Sequence, residues 1–403
     1  MNVSLARFQP ANAAPVYLDY QATTPLDRRV LDAMLPFFTE KFGNPHSVTH
    51  AYGREAEAAV EEARAEVAAL IGAEPREIIF TSGATEANNL AIKGAARFHR
   101  DFARDHVVTV VTEHKCVLES AAALEREGFR VTRLPVDAQG LVDLAALAAV
   151  IDERTSVVSV MAANNEIGVL QPLAEIGALC RARGVLFHSD GAQAVGKVPV
   201  DVEAMGLDLL SISGHKVYGP KGIGALYVRR RPRARLAPLF DGGGQERGLR
   251  SGTLPTPLCV GLGVAARIAG AEMAPEAERL LGLRRRFLGG IRARLPEVTL
   301  NGDAERRLPG NLNLSFPGAP ALEVMAACPS LALSTGSACT AAAVEPSYVL
   351  RALGVSEALA GASLRIGLGR YTIDSEVDFA VDALATAVRR VASRMTEAAG
   401  APT

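Results

Sequence analysis

Short apolar runs alternate along this chain with stretches of helical spacing, and most of the runs stop abruptly at small or charged residues. Residues 78–81, 106–112, 156–162, 185–188, 207–212 and 225–228 read as strands. Between them the apolar positions keep a helical interval, as in 54–71 (Val60, Ala63, Val67, Leu70, Ile71, with Gly72 at the stop), 141–151 and 173–183. Strands that are apolar throughout and alternate with helices predict a mostly parallel sheet covered on both faces. A long helix is expected over 257–274. Beyond Ala274 the texture changes to an arginine-rich helix (276–295), short strands near 298–300, 311–316 and 364–368, and an amphipathic helix over 376–395. That mixture predicts a second, smaller α+β domain.

In parallel sheets ligands gather beyond the carboxyl ends of the strands, and there this chain concentrates its polar groups. The run 78–81 turns through Ser82-Gly83 into a helix beginning near Thr85, which is a ready anion site. The next strands deliver Glu113-His114, Asn164-Asn165-Glu166, Asp190-Gly191-Ala192-Gln193 and Ser213-Gly214-His215-Lys216. Any one of these could be a capped turn; five in succession argue for a shared ligand. Among 43 basic residues only six are lysines, so arginine serves as the ordinary surface cation. Lys216, set directly after a buried strand, suits an amine that holds an aldehyde cofactor with a phosphate anchored beside it. Lys221 lies among glycines and reads as loop.

Composition changes the picture little. A net charge of −1, with 22% charged and 49% hydrophobic residues, gives no overall field for nucleic acid or membrane. No apolar run approaches a membrane span, and residues 1–15 lack the hydrophobic segment of a signal peptide, so a cytoplasmic protein is expected. The basic strip 229–235 reads as solvated surface. The five cysteines are scattered without a Cys-x-x-Cys pair, which disfavours disulfides and structural zinc. His46 and His50 lack a third ligand. Cys339 differs from the rest: it sits among Ser, Thr, Gly and Ala, a setting for an exposed, reactive thiol. Cys180, Cys259 and Cys328 read as packing residues, and Cys116 stays open.

At these residues the chain resembles a known family. Tyr17-Leu-Asp-Tyr20, Thr81-Ser-Gly-Ala-Thr-Glu86, Thr112-Glu-His-Lys115, Asn164-Asn-Glu-Ile-Gly168, Asp190-Gly-Ala-Gln193, Ser213-Gly-His-Lys216, Arg250-Ser-Gly-Thr253, Ser337-Ala-Cys-Thr340 and Arg365 follow the order of the pyridoxal-phosphate-dependent cysteine desulfurases in the class V aminotransferase group. The Cys339 loop is like that of the long-loop subgroup, which includes nitrogen-fixation and housekeeping iron–sulfur enzymes. The resemblance implies fold type I. That means a mostly parallel seven-stranded sheet flanked by helices (26–274), plus a small α+β domain (1–25 and 275–403) carrying a mobile cysteine loop at about 328–346.

The resemblance also implies roles. Lys216 would hold pyridoxal 5'-phosphate covalently and move the substrate Cα proton. Asp190 would pair with the ring nitrogen, Gln193 would contact the ring hydroxyl, and His114 would stack on the ring and act as acid/base. Ala84, Thr85, Ser213 and His215 would hold the phosphate, joined by Thr253 from the second subunit of a homodimer. Asn165 and Arg365 would bind the carboxylate of L-cysteine. Cys339 would take the sulfur as a persulfide for an acceptor protein, an iron–sulfur scaffold or a sulfur carrier, with no direct nucleic-acid or membrane partner. The rival readings are a selenocysteine lyase or related β-eliminating enzyme, and a non-catalytic cofactor-binding interaction subunit. Two departures stand out. Ala162 and Ala163 occupy a place where some housekeeping members have a histidine. The sequence given also ends at Thr403, short of the tail that docks the scaffold in those members, so the acceptor is left open.

Overall fold

Seven strands organise the computed structural model, which describes residues 14–336 and 346–400. They are β1 (Ile78–Thr81), β2 (His106–Val110), β3 (Arg130–Leu134), β4 (Thr155–Ser159), β5 (Leu186–Asp190), β6 (Leu209–Ser213) and β7 (Gly224–Val228). Their order across the sheet is β1-β7-β6-β5-β4-β2-β3. Pairing is parallel from β6 through β3, and β7 runs against both of its neighbours. The expected mostly parallel sheet is therefore present. Every residue of β2, β4, β6 and β7 is buried, which explains why these strands read as unbroken apolar runs. β3 does not appear in the sequence pattern because it is an edge strand. It keeps Arg130, Thr132 and Arg133 at least partly exposed and offers no apolar run. The chain passes from β2 outward to β3, then returns to place β4 on the other side of β2. Strand order reverses at that point, and a crevice opens beyond the strand ends.

Helices α1 (Ala51–Leu70), α2 (Ala84–Arg100), α3 (Lys115–Arg126) and α4 (Leu173–Arg183) belong with this sheet. Gly72, just past α1, has φ of 69°, the left-handed conformation that ends helices. A second core surrounds the antiparallel strands β8 (Thr299–Leu300), β9 (Asn311–Ser315) and β10 (Ser363–Gly367) and the last helix, α6 (Asp374–Gly400). Val16–Tyr17 pairs with Leu331–Ala332, which brings Leu18 into this second core.

The expectation of two helices on either side of Ala274 is corrected. Helix α5 (Thr256–Arg294) is continuous and has Pro275 inside it. Proline removes one N–H and crowds the carbonyl four residues earlier. That residue is Ala271, which is exposed, so water can satisfy the freed carbonyl. The first half of α5 buries Cys259, Leu262, Ala265 and Ile268 in the sheet core, and the second half buries Leu280, Leu283, Phe287 and Ile291 in the other. By length and composition α5 could cross a membrane, contrary to the expectation that no run approaches a span. Half of its most apolar stretch is buried inside the protein, as in a core helix.

His188 shows how polar groups are accommodated in the sheet interior. On β5 it is fully buried, with Nδ1 2.8 Å from Ser159 Oγ on β4 and Nε2 3.0 Å from Ser211 Oγ on β6. Burial pushes its pKa down to about 3. The unfolded chain binds a proton on this ring below about pH 6.5 and the folded chain does not, so stability falls as pH drops from there toward 3. We expect His188→Gln to lower the slope of unfolding free energy against pH, between pH 6 and 4.5, by about one proton, or about 1.4 kcal/mol per pH unit. Urea denaturation across that range checks it; an unchanged slope refutes it.

Candidate functional site

A cavity of about 570 Å³ lies at the crevice where strand order reverses. It is lined by Ala84, Thr85, His114, Asn165, Asp190, Gln193, Ser213, His215, Lys216 and Arg365, ten of the residues singled out in the sequence. Thr253 is exposed and does not line it. Cys339 lies outside the described residues.

At one end α2 begins at Ala84, and no side chain caps it. Its N-cap, Gly83, has φ of 144°, a conformation that favours glycine. Glu86, which also lines the cavity, has both carboxylate oxygens engaged: Oε2 accepts the Ser82 N–H at 2.7 Å and Oε1 accepts from Arg250 Nε at 2.9 Å. The N-terminal N–H groups, with Thr85, Ser213 and His215, form an anion cradle. His215 Nδ1 is 3.0 Å from Thr23 Oγ1. Burial, and then Lys216, Lys221 and Lys197, push this imidazole down to about 4, so it serves as a neutral hydrogen-bonding ring. Lys221, read as loop, also lines the cavity.

Asp190 ends β5 and is buried. Its Oδ2 accepts from Asn88 Nδ2 at 2.7 Å, and its Oδ1 accepts the Ala192 N–H at 2.9 Å. His114 caps α3, its Nδ1 accepting the Cys116 N–H at 3.2 Å. Burial pushes the His114 pKa down; Asp190 opposes this, and Lys216 and Lys115 reinforce it. Lys216 Nζ donates to the carbonyls of Gln21 at 2.6 Å and Ala22 at 2.7 Å. Gln193 Nε2 donates to the same Gln21 carbonyl at 2.9 Å, and Gln193 Oε1 accepts from Lys197 Nζ at 2.9 Å.

Arg365 closes the cavity from β10, in the other core. Its Nη1 donates to the Asn165 carbonyl at 2.9 Å and its Nη2 to Asp19 Oδ1 at 2.7 Å, while Nε is buried with no hydrogen-bond partner among the described residues. A buried guanidinium N–H left unmatched is costly unless a ligand takes it. An uncapped helix start, an amine, a buried carboxylate and this guanidinium fit a phosphorylated pyridine aldehyde together with a carboxylate-bearing substrate.

A family model described as aminotransferase class-V matches residues 16–379. The chain belongs to this family. Among curated relatives, the cysteine desulfurase IscS of Rickettsia bellii is 59% identical over 377 residues, covering 94% of this chain and 92% of the relative. A solved structure described as a NifS-like protein superposes with a TM-score of 0.85 at 36% identity, over 95% of this chain and 100% of that one. A structure of SspA in complex with cysteine gives a TM-score of 0.77 at 40% identity, over 89% and 99% of the two chains. As in this family generally, the fold is that of pyridoxal-phosphate-binding enzymes.

Sequence reasoning missed several contributors. Gln21 and Ala22 supply the carbonyls that hold Lys216, although nothing in a short N-terminal strand signals contact with residue 216. Asn88 reads as one polar residue inside a helix. Cys116, left open, lines the cavity beside His114. Two glycines set the cradle by close approach: a Cβ on Gly224 would meet Ile212 O at 2.4 Å and Gly83 Cα at 2.7 Å. Gly224→Ala therefore has to displace the N-cap of α2. We expect a loss of about 1–3 kcal/mol in urea denaturation, with less pyridoxal phosphate retained on purification. Unchanged stability and full retention would contradict this placement of the cradle.

Proposed function

We propose that the protein is a cysteine desulfurase, which takes the sulfur of L-cysteine, releases L-alanine and holds the sulfur as a persulfide on Cys339. One observation carries the reading. Lys216, Asp190, His114 and the uncapped start of α2 share a single cavity, and Arg365 faces it from the other core. Pyridoxal phosphate, held covalently by Lys216, supplies an electron sink that labilises the substrate Cα–H bond and weakens its C–S bond.

The remaining roles belong to the chain. The α2 start at Ala84, with Thr85, Ser213 and His215, holds the phosphate, and Thr253 joins from the second subunit of a homodimer. Asp190, kept buried and doubly hydrogen-bonded, pairs with the ring nitrogen, and Gln193 contacts the ring hydroxyl. Neutral His114 stacks on the ring and exchanges protons. Arg365 offers its unpartnered Nε to the substrate carboxylate, with Asn165 beside it. The Lys216 amine carries the Cα proton away and returns it. The Cys339 sulfur attacks the substrate sulfur, so an S–S bond forms as the C–S bond breaks. The carbon keeps the bonding pair and takes a proton. Cysteine and an enzyme thiol thus give alanine and an enzyme persulfide, with no outside oxidant. The persulfide then passes to an acceptor protein in the cytoplasm, for iron–sulfur cluster assembly or for thio-cofactor or tRNA thiolation.

Incubation with ³⁵S-cysteine followed by peptide mapping tests the reading, with label expected on Cys339. Cys339→Ala should abolish persulfide formation, and Lys216→Ala should remove alanine production as well. Sulfide release undiminished in Cys339→Ala, with pyruvate and ammonia in place of alanine, would favour a β-eliminating enzyme instead. Arg365→Lys keeps the charge but loses the planar fork, so the KM for cysteine should rise about 10- to 100-fold, as for a lost hydrogen bond to a charged group. An unchanged KM in steady-state assays would remove Arg365 from the substrate site.

A further inference from the structure

We propose that Asn88 and Cys116 form a positioning relay that ties Asp190 to His114 and fixes which nitrogen of the imidazole bears the proton. The inference rests on the reading of the cavity given above and assigns two residues that reading does not use.

Asn88 lies in the second turn of α2, fully buried. Its Nδ2 is 2.7 Å from Asp190 Oδ2 and 3.1 Å from Cys116 Sγ. An amide oxygen turned toward a carboxylate would be repelled, so the nitrogen faces Asp190, and its two hydrogens account for both contacts. Among the described residues Asn88 Oδ1 has no hydrogen-bond partner, so they hold the amide through its NH₂ group alone. Cys116 continues the chain of contacts: its sulfur is 3.0 Å from His114 Nδ1. The Cys116 backbone N–H donates to that same Nδ1 at 3.2 Å, so Nδ1 carries a lone pair. The thiol is then the donor and the imidazole the acceptor, with the ring proton on Nε2.

Other groups agree with this polarity. Burial, and then the Asp190 charge, push the Cys116 thiol up to about 12, so it keeps its proton; Thr85 lies beside the sulfur. Facing His114 are Asp190, Lys216 and Lys115, one attractive and two repulsive to an imidazolium. Cys116 is therefore a positioning residue, chemically distinct from the sulfur-accepting Cys339. A helix start that caps itself with His114 brings the thiol two residues later onto the ring without any further element.

¹⁵N-histidine NMR on the full-length protein tests the relay, with the His114 signal assigned through His114→Gln. Cys116→Val fills the volume of the thiol without a donor, and Cys116→Ser keeps a donor. The valine variant should raise the His114 titration midpoint by about half to one pH unit, because one hydrogen bond to the neutral ring is lost. The serine variant should titrate as the parent does, with the proton on Nε2 in both. Asn88→Ala should move the midpoint the same way by less. Equal shifts in the valine and serine variants, or none in either, overturn the relay, as does a neutral ring protonated on Nδ1. If the valine variant does not fold, Cys116→Ala takes its place. The titration is separate from alanine production, so a failed relay and a failed desulfurase reading give different results.

Discussion

The turn that carries Lys216 is held in place by a segment almost two hundred residues away. Thr24 donates its N–H and its hydroxyl to the His215 carbonyl at 3.0 and 3.1 Å. The Tyr218 N–H donates to Thr24 Oγ1 at 2.9 Å, and the Asp27 N–H to the Tyr218 carbonyl at 3.0 Å. Lys216 itself reaches the Gln21 and Ala22 carbonyls. Tyr218 adopts φ of 63°, an uncommon conformation for a bulky residue, and such strain persists only where the surroundings over-determine it. The surroundings here include the other core: the Arg370 N–H donates to the Tyr218 hydroxyl at 2.6 Å, and its guanidinium lies 4.1 Å from that ring. Arg370 also pairs with Asp27 and Glu276, each at 2.8 Å. The position of the reactive amine is thus a property of three sequence-distant segments together.

Those polar groups are tolerable because neighbouring segments, α2 and residues 21–22 among them, supply partners. Asp190 has one donor on each oxygen, and Lys197 Nζ has Gln193 Oε1. Burial, with Lys216 and Arg365 nearby, pushes the Lys197 amine down to about 7. The histidines around the site respond to burial in the same direction and stay neutral. A site of this kind keeps few full charges, and each of those is hydrogen-bonded, as burial requires.

The sheet and most of the cavity were legible because both rest on local pattern. Apolar runs mark buried strands, and polar residues at their carboxyl ends mark the crevice. What escaped depends on contact across the chain. Residues 18–22 carry no local sign of a long-range contact, yet Gly367 shows how closely they pass: a Cβ there would meet Gln21 Oε1 at 1.9 Å. That glycine looked like an ordinary strand residue. The change of texture past Ala274 suggested two helices, and a sequence does not reveal that the carbonyl displaced by Pro275 is solvated. Asn88 was invisible as a site residue, since helix spacing alone does not say which face meets Asp190. The hand-over between the two cores falls within α5, between Ile268 and Leu280.

A division of labour between the two cores underlies the proposed reading. The helix start, the amine and the carboxylate all come from the sheet core, whereas Arg365 comes from β10 in the other. On the proposed reading a substrate bearing an α-carboxylate would engage both at once, satisfying the buried Nε that has no partner among the described residues. Binding energy from that remote contact would then be available to hold the two cores together around the reacting bond, where orientation contributes most to rate. An amine lacking the carboxylate could still meet Lys216, but it would leave Arg365 unmatched in a buried setting. On that reading the discrimination would arise from the cost of an orphaned guanidinium N–H more than from any close fit around the thiol.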